Sequence, residues 1–211
     1  DLKIDNSSWY NGAFSTSTSW ELADLTDQLF FNFNHLKPGE WSEDTISLHV
    51  DTNDSWLCAN VTLTKDDDVS SNEPELEEEG EVADDPQNAW DGELGSELKF
   101  VFWADDGDNV LETGEQVLLQ GSPQDLPHGD QNFGTSFPIV DSTFNAFGPV
   151  GQPFPAGAPK YIGKAWCFGA MALAPVTQDG SGTLINPSMQ QGPGITCDGS
   201  QVTNISQTDS L

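Results

Sequence analysis

An all-β chain, folded as a jelly-roll-like antiparallel β-sandwich with long acidic and Pro/Gly-rich loops, is what the sequence predicts. Three observations carry that expectation. Apolar residues alternate at period two in several short runs, the signature of half-buried strands. The chain is rich in turn formers, with 20 Gly and 13 Pro, which favours many short strands over long helices. It also holds 7 Trp and 12 Phe in 211 residues, enough to bury the core of one domain spanning 1–211.

Leu2-Lys3-Ile4-Asp5 alternates like a strand. Thr18-Ser19-Trp20-Glu21 has the pattern of a capping box, and Leu22, Leu25 and Leu29 follow at helical spacing, so a short helix is expected near 20–28. Leu29-Phe30-Phe31-Asn32-Phe33 reads as a strand closed by the Lys37-Pro38-Gly39 turn. Ile46, Leu48 and Val50 alternate with Ser47 and His49, and the turn at Asp51-Thr52-Asn53-Asp54 leads to the next strand. There Leu57, Ala59, Val61 and Leu63 form one face and Trp56, Cys58, Asn60 and Thr62 the other.

Residues 66–97 are dense in acids, contain no basic residue and have little apolar content. They read as an acidic surface excursion, mobile in part unless a cation or partner orders it. Leu98 to Trp103 and Gln116 to Gln120 resume as strands, 121–160 is a Pro-, Gly- and aromatic-rich connection, and Tyr161 to Leu173 reads as one long late strand.

Charge bounds the partners. There are 35 acids against 6 basic residues, all lysine, for a net charge of −29. Such a surface repels nucleic acid and anionic membranes. It is tolerated where salt screens it, as in a salt-adapted organism, or where divalent cations neutralise it. No apolar run reaches the length of a membrane span.

The cysteines are Cys58, Cys167 and Cys197. Cross-strand cysteines suit sandwich geometry, and we pair Cys167 with Cys197. Cys58 is then the odd one, on the outer face beside Asn60, and is expected to bridge to something outside the sandwich body; a buried, inert thiol is the alternative. Four N-x-S/T sequons, at Asn6, Asn53, Asn60 and Asn204, are candidate glycosylation sites and, with the cysteines, lean extracellular. The histidines, His35, His49 and His128, are scattered and form no zinc motif.

The sharpest chemical signal runs from Trp103 to Glu115. Calcium needs six to eight oxygens on a tight loop. Counted from Ala104, the third, fifth, ninth and twelfth positions of a twelve-residue calcium loop are Asp106, Asp108, Glu112 and Glu115, and the seventh offers the Val110 carbonyl. The first position is Ala where an acid belongs, with Asp105 adjacent, so the match is partial. An acidic turn between two strands is the alternative. No lipase-type serine elbow, phosphate loop or zinc-protease motif is present.

Several segments together resemble the TasA/camelysin family, particularly its large acidic members made with a SipW-type signal peptide. They are Leu29-Phe30-Phe31-Asn32-Phe33, Leu36-Lys37-Pro38-Gly39-Glu40, Asp44 to Val50, Trp90-Asp91-Gly92-Glu93-Leu94, Trp103 to Glu112, Tyr161 to Gly169 and Asn204 to Leu211. The resemblance implies a jelly roll that polymerises into extracellular biofilm-matrix fibres with copies of itself and contacts other matrix components. Related archaeal bundling pili share that architecture. It implies that an N-terminal segment of one subunit completes a neighbour's sheet. Family members carry that segment ahead of the position of Asp1 and a further strand ending in Cys beyond Leu211; the resemblance implies that both lie outside this chain, and that the missing Cys partners Cys58. Two other functions stay open: a calcium-dependent adhesin or glycan-binding module, and a metalloprotease, as camelysin is described.

Overall fold

The computed structural model describes residues 1–78, 83–126, 135–178 and 194–211. The chain is all-β, with antiparallel sheets in a sandwich-like arrangement. The main sheet has seven strands. Strands β1 (Leu2–Tyr10), β4 (Trp41–Val50), β10 (Lys160–Phe168) and β7 (Leu98–Asp105) form its centre in that spatial order. Strand β8 (Val117–Gly121) closes one edge, and the short strands β2 (Ala13–Phe14) and β3 (Trp20–Ala23) pair with β1 at the other. The alternation of Ile46, Leu48 and Val50 places these side chains on one face, where they meet Ile4 and Ile162.

That face is covered at one end by a two-stranded sheet, β5 (Leu57–Val61) with β9 (Thr135–Val140). Leu57, Ile139 and Val140 pack there with Phe154 against the main sheet. The opposite face carries Val101, Trp103 and Ala165 and is covered by a second small sheet, β11 (Ala170–Leu173) with β12 (Ile195–Asp198). Trp103 is wholly buried, and its indole lies where a side chain at Gly163 would stand. Burial of so large a ring requires glycine at its cross-strand partner.

Several expectations need correction. The segment expected to be a helix near 20–28 begins as strand β3, because Trp20 and Ala23 register with Asn6 and Ile4 of β1. Leu22, Leu25 and Leu29 are all exposed, so their helical spacing meets no core. Residues 29–33 form no strand; Phe30 and Phe31 instead wrap the buried Lys164 ammonium. The late strand is two, β10 and β11, separated at Gly169, whose φ of +134° only glycine adopts readily and whose missing Cβ leaves room for the Asp198 carbonyl.

The acidic excursion at 66–97 is structured over its described residues. Strand β6 (Asp67–Asp68) pairs with β13 (Asp209–Ser210), and two single-turn helices, Glu73–Leu76 and Leu94–Glu97, flank it. Asp66, Asp68 and Glu75 are buried. Acids of this region are held as hydrogen-bond acceptors: Glu75 accepts from the Thr208 amide and hydroxyl, and Asp66 from the Gly95 amide.

Candidate metal centre

The loop after β7 turns tightly. Gly107 and Asn109 both have positive φ, at 116° and 62°, a backbone that glycine and asparagine tolerate best. The turn points main-chain amides at its own carboxylates. The Gly107 and Asn109 amides donate to Asp105 Oδ2 at 3.0 and 3.3 Å, and the Val110 amide donates to Asp108 Oδ1 at 2.9 Å. Glu115 closes the loop from its far side, accepting from the Asp106 and Glu112 amides at 3.0 and 2.9 Å.

The loop is also clamped from outside. Leu111 is buried against Ile195 of β12. The Thr113 amide donates to the Val176 carbonyl and the Val176 amide to the Leu111 carbonyl. Strand β12 is in turn tied to β10 by the Cys167–Cys197 disulfide, with Cα atoms 5.5 Å apart. The pairing expected from the sequence is the one the structure contains.

The expected ligand residues are brought together. Asp105, Asp106 and Asp108 form one group of oxygens lying within 4.8 Å of one another, and Asp106, Glu112 and Glu115 form a second. Asp106 belongs to both. Val110 is buried, its side chain turned inward. Asp105, the last residue of β7, stands with Asp106 and Asp108 where the loop pattern has Ala104 at its first position.

Burial makes this cluster electrostatically costly. Asp108 is 0 % exposed and Asp105 5 %. Loss of hydration raises Asp105 to about 6, Asp108 to about 7 and Glu115 to about 8; loop amides pull each back down and neighbouring carboxylates push each up. Asp106 Oδ1, Asp108 Oδ2 and the Asn109 side-chain oxygen are buried with no hydrogen-bond donor. Three buried oxygens lacking donors, beside carboxylates made reluctant to ionise, fit a cation. The donor set is entirely oxygen, which suits a hard divalent ion over zinc. Among the described residues no group able to hold a metal includes a histidine; His128 lies outside them.

A second group, Asp68, Glu75 and Asp209, also lies within 4.8 Å. Sequence reasoning missed it. Asp209 stands far along the chain from the other two, and only the β6–β13 pairing brings them together. No local spacing signals such a site.

The other singled-out residues fall as follows. Cys58 is free and exposed on β5, on the outer face with exposed Asn60. Asn53 and Asn204 are exposed too. Asn6 is not available to a glycan on the folded chain: it is 1 % exposed, and its Nδ2 donates to the Thr18 carbonyl and to Asp44.

No family model, curated protein or solved structure matches the chain, so the comparisons neither add to nor subtract from the TasA/camelysin resemblance. No helix among the described residues is long and apolar enough to cross a membrane.

Proposed function

We propose that the protein is the structural subunit of an extracellular filament, a jelly roll of the TasA/camelysin kind that assembles by adding a strand from the next copy of itself, and that calcium in the 105–115 loop stiffens each subunit. The carrying observation is a mismatch between layers. Seven strands form the main sheet, and among the described residues the two-stranded β5–β9 sheet covers its apolar face at one end, leaving the other end to the chain's own 31–36 and 206–211 segments. Beyond the end of β5 and β9 lies a cleft of about 810 Å³. Its walls include Val61, Leu63, Phe100, Phe102, Trp166 and Phe168. Among the described residues β5 pairs only with β9. An extended segment entering here finds an aromatic floor for alternate side chains and a strand edge for its backbone, the two requirements of strand addition.

With a strand of a second copy as the occupant, the contact joins unlike surfaces, strand to cleft. A head-to-tail contact of that kind does not close on itself and propagates as a filament. The surface charge supports an assembly whose growth responds to cations: at −29 per chain, copies repel until salt or divalent ions screen them. Calcium is the cation of choice for an all-oxygen loop facing outside the cell. A disulfide is consistent with that location.

The test is assembly of the purified chain with any native flanking segments, followed by sedimentation and negative-stain electron microscopy with and without calcium. Filaments are expected, and Phe100→Glu, which puts a charge on the cleft floor, should leave monomers. A wild-type chain that stays monomeric at all concentrations sinks the reading. A calcium-dependent adhesin predicts glycan binding that survives Phe100→Glu, since its site would lie elsewhere.

A further inference from the structure

Three polar side chains stand on the apolar face of the main sheet with no access to water. Lys164 of β10 and Asp44 of β4 are directly opposite in register, and both are 0 % exposed. Their ion pair closes at 2.8 Å. Asn6 of β1, the diagonal neighbour of Asp44, is 1 % exposed and donates from Nδ2 to Asp44 Oδ1 at 2.9 Å. One carboxyl group therefore touches the amine with one oxygen and the carboxamide with the other. Phe31 covers the amine, its ring centroid 3.8 Å from Nζ, and Phe30 lies behind it. The Phe30 carbonyl accepts a further hydrogen bond from Nζ. The Asn6 side-chain oxygen is buried with no donor.

We infer that Lys164 and Asn6 are a self-modifying pair, joined by an isopeptide bond whose formation Asp44 assists. The chemistry needs a neutral amine, an amide carbonyl and a carboxyl group that moves protons between them, in a site that excludes water. Burial lowers the Lys164 pKa, although the Asp44 charge opposes that shift. In a dry interior the pair can neutralise by passing a proton from Nζ to Asp44. The Nζ lone pair then attacks Asn6 Cγ once the Asn6 carboxamide turns over, so that its unpartnered Oδ1 replaces Nδ2 at Asp44 and accepts the Asp44 proton. The Nζ–Cγ bond forms and the Cγ–Nδ2 bond breaks. The amine gives up its remaining transferable proton, through Asp44, to the departing nitrogen, which leaves as ammonia. No oxidant or co-reactant is required; the proton that Asp44 first took from Nζ goes out with the ammonia as ammonium, and Asp44 returns to the carboxylate. The product links β1 to β10 across β4, so that force on either end of the chain meets a covalent bond inside the sheet.

The inference stands apart from the filament reading, because the bond is internal to one chain. Intact-mass measurement of the denatured, reduced wild-type protein tests it without any variant. The expected mass lies one ammonia below that of the sequence, and a proteolytic digest should yield a fused peptide containing both Asn6 and Lys164. Asn6→Asp should form the same link with loss of water instead. Asp44→Asn should restore the full mass and remove the fused peptide. A wild-type chain at full mass overturns the inference. A deficit of one water with Lys164 fused to Asp44 also overturns it, by placing the bond on the other carbonyl.

Discussion

Chelating the cation proposed for the 105–115 loop should make stability depend steeply on pH, and the sign is set by the direction of the carboxyl shifts. Asp105, Asp108 and Glu115 are raised to about 6, 7 and 8. In the unfolded chain such groups titrate near 4. Between those limits the native state holds more protons than the unfolded state, so stability falls as pH rises from about 4 to about 8 and levels off above. The rise at Asp105 alone corresponds to roughly 3 kcal/mol, at about 1.4 kcal/mol per pKa unit. Half-buried Glu115 contributes less than its shift suggests, because solvent screens it. For a domain of this size 3 kcal/mol moves Tm by roughly 6–12 °C. Calcium at about a hundred times its Kd restores about 2.7 kcal/mol by mass action. The assay is thermal melting of the chelated protein and of the same sample with excess calcium, at low salt across that pH range. The chelated Tm should fall through the window, with the calcium increment growing as it falls. A chelated protein whose Tm is flat or rises with pH, or that gains nothing from calcium near pH 8, refutes the reasoning.

Three further outcomes follow from the same geometry. Asp108→Asn removes one of the crowded buried charges; it should raise the Tm of the chelated protein near pH 8 while abolishing most of the calcium increment, both read in one pair of melts. Reduction of Cys167–Cys197, which closes a 30-residue separation, should cost about 3–4 kcal/mol by chain entropy. It should also weaken calcium binding measured by titration, because Ile195 of the tied strand packs on Leu111 of the loop. Gly163→Ala drives a methyl into the Trp103 indole and should destabilise by about 1–3 kcal/mol in urea unfolding followed by tryptophan fluorescence.

Legibility in the sequence followed the range of the forces involved. The alternation at 46–50 and 57–61 was readable because a half-buried strand writes its own pattern, and it located Cys58 and Asn60 on the outer face correctly. The acidic cluster after β7 was readable because its acids lie within a dozen residues of one another. The helix expected near 20–28 failed because Leu22, Leu25 and Leu29 satisfy a spacing rule yet touch no core, while pairing with β1 decides the backbone. Residues 29–33 misled for a related reason. Phe30 and Phe31 enclose a charge, the Lys164 ammonium, while Phe33 packs on Tyr10 and Trp166 without forming a strand. The Asn6–Asp44–Lys164 cluster and the Asp68–Glu75–Asp209 group stayed hidden because strand register alone assembles them. Asn6 shows the consequence most sharply: its sequon is genuine as a pattern, and its side chain is buried.

A cryo-electron-microscopy map of the assembled protein tests the filament account most directly. It should resolve an extended segment from a neighbouring subunit running beside β5, with alternate side chains seated over Phe100, Phe102 and Trp166. Density in which each subunit's own chain fills that cleft, with no segment crossing between copies, would contradict it.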